Sequence, residues 1–435
     1  MKKSGYLCAA CAVMLATLLV IAAELGTAGI PPPILDEANV PTYTLPDPLA
    51  MQDDRTVTTA EQWFKERRPE LLKLFEEHMH GKPTLFRTGN TAFQTRFEYL
   101  SSKSVYDGKG IQHQFQIVWY RGDDEHRVDV LAYVPTSDAK VPALIGLNFM
   151  GNHTVTADPD IRIPARIWER RKPAWTPGKE EDRGAQSERW PVEMILSRGY
   201  AVVTAYYCDI EPDCNGGFIH GIRRFLYKEG EKQAPDEANA IATWAWGLGE
   251  MLDAVTHFQD KLGINPAKTA VMGHSRLGKT SLWAGAIDPR FAMVISNNSG
   301  SCGAALSRRE YGETTRLTNT NPHWFCDNFK KYNDNVHVMP FDQHELIALA
   351  APRPVYVASA TQDRMADPKG EFLAAFHADP VYKLLGTDGI GGVTEPPPPD
   401  RSVGGTIRYH NRTGKHDIVE FDWKNYCDFA DTHLK

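Results

Sequence analysis

"TAVMGHSRLGKTSLW", Thr269 to Trp283, is the stretch that decides how this chain is read. A β-prone run stops at Gly273-His274-Ser275, and the helix-forming residues around Lys279 to Ala286 begin at once. Strand, sharp turn and helix in that order make a nucleophile elbow, which holds a serine hydroxyl at the top of a sheet. One feature departs from the usual G-x-S-x-G: position 277 is Leu, and the second glycine comes one place later, at Gly278. A serine that only caps the helix is the competing reading. Two cations follow at once, and as ordinary solvated side chains they would carry no chemistry. Arg276 and Lys279 stand at a helix start, where the dipole disfavours positive charge. Lys279, at i+4, shares the helix face of Ser275.

Working outward, strand-like segments lie at Val128 to Val134, Ala143 to Phe149, Ala201 to Tyr207, Ala292 to Ser296 and Val355 to Ala360. Several are unbroken apolar runs, as expected of central strands covered on both faces. Helical stretches alternate with them at Asp236 to Leu262, Thr280 to Ala286, Asp342 to Ala350 and Lys369 to Phe376, and Glu61 to His80 reads as a surface helix ahead of the sheet. The alternation predicts an α/β three-layer sandwich with a mostly parallel central sheet, its site beyond the carboxyl ends of the strands. Residues 29–435 read as one domain. The polar segment 154–190, with Trp168 and Trp175, breaks the rhythm and reads as an insertion over the site or as a solvated loop.

A serine hydroxyl needs a base, and the base needs an orienting group. In α/β-hydrolases these follow in the order Ser, acid, His. Downstream, "PVYVASATQDRMADP" is a strand followed by a loop carrying Asp363 and Asp367, and "NRTGKHDIVEFDW" puts His416 in a turn before the last helix. Asp363 comes first after the strand, whereas Asp367 precedes Pro368 like a helix start. His410 competes with His416 but reads as part of a strand. The "LNFMGNHT" stretch, Leu147 to Thr154, stands where a backbone oxyanion donor often sits, with His153 equally readable as a turn residue.

Composition narrows the class. A 42% hydrophobic content and 18 Phe, 16 Tyr and 10 Trp suffice for a large core, and a formal charge of -7 offers no basic surface for nucleic acid. Lys2 and Lys3 precede an apolar run to about Ala23, which reads as a secretory signal over residues 1–28, cleaved between about Ala23 and Gly29, and predicts a secreted or periplasmic protein with no stable membrane span. Beyond it remain five cysteines. Cys302 with Cys326 is the first candidate pair and Cys208 with Cys214 the weaker one; buried free thiols are the alternative.

Together, "GHSRLGK", "NNSGSCGAALSRR", "PHWFC", "DQHELIALAAPRP", "DRMADPKGEF" and "TGKHD" resemble the bacterial glucuronoyl esterases over roughly Val128 to Lys435. These are secreted α/β-hydrolases that cut the ester between lignin alcohols and 4-O-methyl-glucuronic acid side chains of xylan. The resemblance implies Ser275 as nucleophile, His416 as base, Arg276 as oxyanion holder through its side chain and backbone N–H, Lys279 as a contact to the uronate hydroxyls, and Glu313 as a substrate ligand. It implies no metal or organic cofactor and a glucuronoxylan or lignin-carbohydrate ester as partner; the sequence does not give the oligomeric state, and a monomer is the default. Two positions depart from the family. Asn298 stands where many members carry the triad glutamate, so Asp363 must serve, as in a subset. Met365 replaces a common tryptophan, for which Trp324 either compensates as a substrate-binding ring or is a core residue. A broader carbohydrate esterase, such as an acetyl xylan esterase, and a noncatalytic carbohydrate-binding protein on a hydrolase fold are the alternatives.

Overall fold

The computed structural model describes residues 31–435 apart from 84–91, 170–173 and 229, so the signal segment expected over residues 1–28 lies outside the described residues. Among the described residues no helix is long and apolar enough to cross a membrane. The strands are β1 (Gln94–Val105), β2 (Gly110–Arg121), β3 (Asp124–Pro135), β4 (Val141–Asn148), β5 (Ile167–Glu169), β6 (Ala174–Thr176), β7 (Ala201–Tyr206), β8 (Ile264–His274), β9 (Met293–Asn297), β10 (Val355–Ala360), β11 (Ser402–Gly404) and β12 (Ile407–Arg412). Five helices matter for the site: α1 (Ala240–His257), α2 (Arg276–Ile287), α3 (Gln343–Ala348), α4 (Pro368–Leu384) and α5 (Glu420–His433).

Ten of the strands form one sheet in the order β1-β2-β3-β7-β4-β8-β9-β10-β12-β11, while β5 and β6 make a separate hairpin within 154–190. From β7 to β12 all neighbours are parallel; β1, β2 and β3 form an antiparallel edge and β11 closes the other side antiparallel. Every residue of β4, β7, β9 and β10 is buried. Burial on both faces needs two covering layers. Trp244, Leu282 and Phe372 of α1, α2 and α4 belong to one core, and Trp423, Tyr426 and Phe429 of α5 belong to the other. The result is the three-layer α/β-hydrolase architecture.

The chain passes from β4 to β7 on one side and returns to β8 on the other. The crevice at the carboxyl ends of β4 and β8 is therefore a topological switch point, where open α/β sheets bind ligands.

The differences from expectation have local causes. β1 and β2 escape sequence reading because Gln112, His113, Gln114 and Gln116 are polar yet buried in β2. Helix α4 runs past the expected end at Phe376 to Leu384, through Pro380, because burial of Ala378, Val381 and Tyr382 outweighs the one hydrogen bond that Pro380 cannot make. Segment 60–80 is helical but not simply a surface element: Trp63, Arg67, Leu71, Phe75 and Met79 are all buried. A four-residue repeat drifts off a helix of about 3.6 residues per turn. Wider π turns at Trp63–Arg67 and Glu76–His80 keep the stripe facing the core. Neither candidate disulfide is present, and all five cysteines from Cys208 onward are free thiols, the alternative reading. Cys302 lies 3.5 Å from the Ser301 hydroxyl, whereas Cys326 is held by its own N–H on the Met79 carbonyl.

Candidate active site

Strand β8 delivers Ser275 to the switch point in a conformation few residues adopt, φ 58° and ψ −130°. Such strain persists only where surroundings over-determine it. Here the Ser275 N–H donates to Asn297 O at 2.9 Å, tying the turn to the end of β9, and its carbonyl accepts from Gly278 N at 2.8 Å. Gly273 is obligatory, since a Cβ there would meet the Leu277 carbonyl oxygen at 1.9 Å. The displaced Gly278 also has a reason: its Cβ would crowd Asn297 O and Gly273 O at 3.1 Å. The close approach simply falls one residue later than in the usual motif.

His416 sits on the loop between β12 and α5. Buried Arg412 shapes that loop, donating through Nη2 to Lys415 O and Asp417 O and through Nε to Asp422. His416 Nδ1 meets Asp363 Oδ2 at 2.5 Å. Asp363 is buried, while the His416 side chain is 43% exposed, so the ring's other edge opens to the cleft. With Nδ1–H committed to the carboxylate, Nε2 keeps its lone pair. The His416 ring lies 4.6 Å, centroid to centroid, from that of His274, the neighbour of Ser275. His274 is buried against Asn297 Oδ1 at 2.6 Å, and burial, followed by the nearby His416, holds its pKa well below 6.5.

The competing residues are placed elsewhere. Asp367 caps α4 and binds Arg309 Nε at 2.8 Å. His410 is buried between Tyr356 and Asp422, both ring nitrogens engaged. Asn298 stands beside Asp363, its Nδ2 donating to the same Oδ2 at 2.8 Å. Asn298 thus acts on Asp363 as a hydrogen-bond donor.

Arg276 opens α2, so its backbone N–H has no intrahelical acceptor and is available at the site. Its guanidinium lies between Phe149, 5.2 Å away, and Trp324, 5.4 Å away. Lys279 is buried, and its ammonium donates to Ser299 O at 2.7 Å, Ser301 O at 2.5 Å and Glu313 Oε2 at 3.0 Å. Those three acceptors take up its three hydrogens. Glu313, 25% exposed against 3% for Lys279, is the member of the pair that meets the cleft. The ammonium thus ties Glu313 to the Ser299–Ser301 loop. Trp324, expected as platform or core, is 5% exposed with its indole N–H on Asp213 at 2.7 Å, so it forms wall rather than an open stacking surface. Asp213 itself, in the loop after the short helix Tyr207–Ile210, was not legible; its only signal is an acid shortly beyond a fully buried parallel strand.

Beneath the loop that Lys279 grips lies Glu371 of α4. It accepts from Ser359 Oγ at 2.5 Å, Gly300 N at 2.9 Å and Ser299 Oγ at 3.2 Å. Burial pushes its carboxyl from 4.5 up to about 8. The folded protein therefore keeps a proton that the unfolded chain releases. This contribution to stability is full below pH 4.5 and is lost as pH rises toward 8. Glu371→Gln, neutral at every pH, is expected to remove a slope of about 1.4 kcal/mol per pH unit. Denaturant unfolding of both proteins at pH 5.5 and 7.5 checks it; parallel losses in parent and variant would contradict it.

Among the described residues no cluster suited to a metal ion occurs. The family described as glucuronyl esterase of fungi matches residues 219–386. A carbohydrate esterase of unknown prokaryotic origin is 47% identical over 408 residues, covering 92% of this chain and 91% of its own length. A solved structure described as a promiscuous esterase of carbohydrate esterase family 15, from a marine bacterial metagenome, has a TM-score of 0.84 at 44% identity, over 93% of this chain and 100% of its own. The glucuronoyl esterase from Solibacter usitatus has a TM-score of 0.85 at 42% identity, over 92% of this chain and 100% of its own. A curated relative at this identity, matched over nearly its whole length, decides the kinship, and the chain belongs to the glucuronoyl esterases, carbohydrate esterase family 15.

Proposed function

We propose that this protein hydrolyses esters of glucuronic acid side chains on xylan with lignin-type alcohols, through a Ser275-His416-Asp363 triad. The observation that carries the reading is the 2.5 Å contact of His416 with Asp363, beside the strained elbow that presents Ser275. His416 Nε2 takes the proton as the Ser275 oxygen attacks the ester carbonyl, and the Asp363 carboxylate stabilises the imidazolium that forms. The guanidinium and backbone N–H of Arg276 receive the oxyanion, where one donor is worth about 10²–10³-fold in rate. Collapse expels the alcohol with the proton from His416, and water repeats the sequence on the glucuronoyl-Ser275 intermediate. Glu313, held by Lys279, accepts hydrogen bonds from uronate hydroxyls on the acyl side.

The test is hydrolysis of paired methyl glucuronate and methyl galacturonate esters, which differ at one hydroxyl. Since a site built to bond a hydroxyl discriminates strongly against its misplacement, the glucuronate ester should turn over about tenfold faster or more. Cleavage of acetate esters with neither uronate hydrolysed would overturn the reading. Glu313→Gln is expected to raise KM for the glucuronate ester about tenfold, the order of a charged hydrogen bond lost, while leaving turnover of a simple acetate ester unchanged.

A broader ester range is the second reading. Met365, 36% exposed, stands where the family commonly has tryptophan, and a relative at 44% identity is described as promiscuous. Measurable acetate-ester turnover beside uronate activity would support it. The lysine-led apolar run at residues 2–23 supports action outside the cytoplasm, the single ten-stranded sheet supports one catalytic domain, and 154–190 borders the site: Arg189 of that segment pairs with Asp417, next to His416, at 2.7 Å.

A further inference from the structure

Asp213 is fully buried, and four groups converge on its carboxylate. Oδ1 accepts from His323 Nε2 at 2.7 Å and from Trp324 Nε1 at 2.7 Å. Oδ2 accepts from the Tyr207 hydroxyl at 2.9 Å and faces Arg276 Nε at 3.3 Å. We infer that Asp213 is a positioning residue for the esterase reaction, aiming the Arg276 guanidinium and the Trp324 indole from behind the site; the inference rests on the reading above, in which Arg276 holds the oxyanion.

An ionised carboxylate out of water is tolerated only when paired and hydrogen-bonded. Tyr207, His323 and Trp324 satisfy hydrogen-bonding capacity, and Arg276 brings an opposite charge; its side chain is 17% exposed while that of Asp213 is 0% exposed. The pair therefore spans the cleft wall, cation outward and anion inward. Nε stands 3.3 Å from Asp213 Oδ2 as a charge contact without hydrogen-bond geometry, and the guanidinium lies against the rings of Phe149 and Trp324. Asp213 never meets substrate. Its work is to keep the donor fixed before charge develops, which is what makes an oxyanion donor effective. The same carboxylate joins Arg276 to Trp324, so the oxyanion side and the acyl-side wall are set by one anchor.

The experiment is a double-mutant cycle with benzyl glucuronate as substrate. Asp213→Asn preserves shape, removes the charge and offers Arg276 an amide in place of a full anion. It is expected to lower kcat about 10- to 100-fold with KM changed less than about threefold. In an Arg276→Ala background the same substitution should cost less than about threefold more, because residues acting through one another are not additive. Full multiplication of the two losses, or parental kcat in Asp213→Asn when Arg276→Ala is impaired, overturns the inference while leaving the oxyanion reading intact. Parental kcat in Arg276→Ala itself overturns that reading and the inference with it. Should Asp213→Asn fail to fold, Tyr207→Phe carries the test by removing one donor from Oδ2. A kcat loss of about threefold or more that vanishes in the Arg276→Ala background supports the inference, and parental kcat overturns it.

Discussion

Ser275→Ala is expected to lower kcat on a glucuronate ester by about five to six orders of magnitude, with KM changed only a few-fold, as for the nucleophile of other serine hydrolases. The loss is chemical and not structural. The elbow is held by backbone contacts, Ser275 N to Asn297 O and Ser275 O to Gly278 N, and alanine keeps both. Residual turnover from Arg276 and binding alone should survive. Ser275→Gly separates the two kinds of effect further. At φ 58° a Cβ is a cost that glycine does not bear, so this variant should be as inactive as the alanine one and yet about 1 kcal/mol more stable. Steady-state kinetics and thermal melts of the two variants check this. Activity within tenfold of the parent in either would contradict the assignment of the nucleophile.

Asp363→Asn is expected to lower kcat by about 10⁴-fold, the order of replacing the acid of such a triad by its amide. In the parent, Asp363 Oδ2 accepts from His416 Nδ1 at 2.5 Å and from Asn298 Nδ2 at 2.8 Å. An amide at 363 with its oxygen at this shared position still accepts from both donors but brings no charge, so the imidazolium that forms as Ser275 loses its proton is no longer stabilised; with its N–H there it faces Asn298 donor to donor and leaves His416 with its hydrogen on Nε2, unable to take that proton. Because Asn298 is itself an amide, it has no charge with which to substitute. Kinetics of Asp363→Asn on the glucuronate ester measures this, and a loss below about tenfold would move the role of acid to another residue.

The elbow was legible because three constraints coincide in one stretch: an apolar strand, a glycine with no room for a Cβ, and an immediate helix. The contact of His416 with Asp363 could be anticipated because each follows a recognisable strand on a loop. Sequence could rank Asp363 above Asp367, and the structure supplies the physical difference: Asp367 is occupied by Arg309 and by the start of α4. What stayed hidden depends on partners distant in sequence. Nothing in the stretch around Lys279 announces its bonds to Ser299, Ser301 and Glu313. Trp324 reads as platform or core with equal ease, because the deciding fact is its bond to Asp213. Edge strands β1 and β2 lacked an apolar signature, since buried polar side chains of β2 pair with groups such as Tyr133 and Asp129 instead of forming a plain apolar face.

The central claim is a covalent glucuronoyl ester on Ser275. Rapid acid quenching of the enzyme with benzyl glucuronate, followed by peptide mass spectrometry, tests it most directly. A glucuronoyl mass increment on the peptide containing Ser275, absent in Ser275→Ala, is the predicted result. An increment on any other side chain, or product release by an enzyme whose Ser275→Ala variant turns over equally well, would contradict the account.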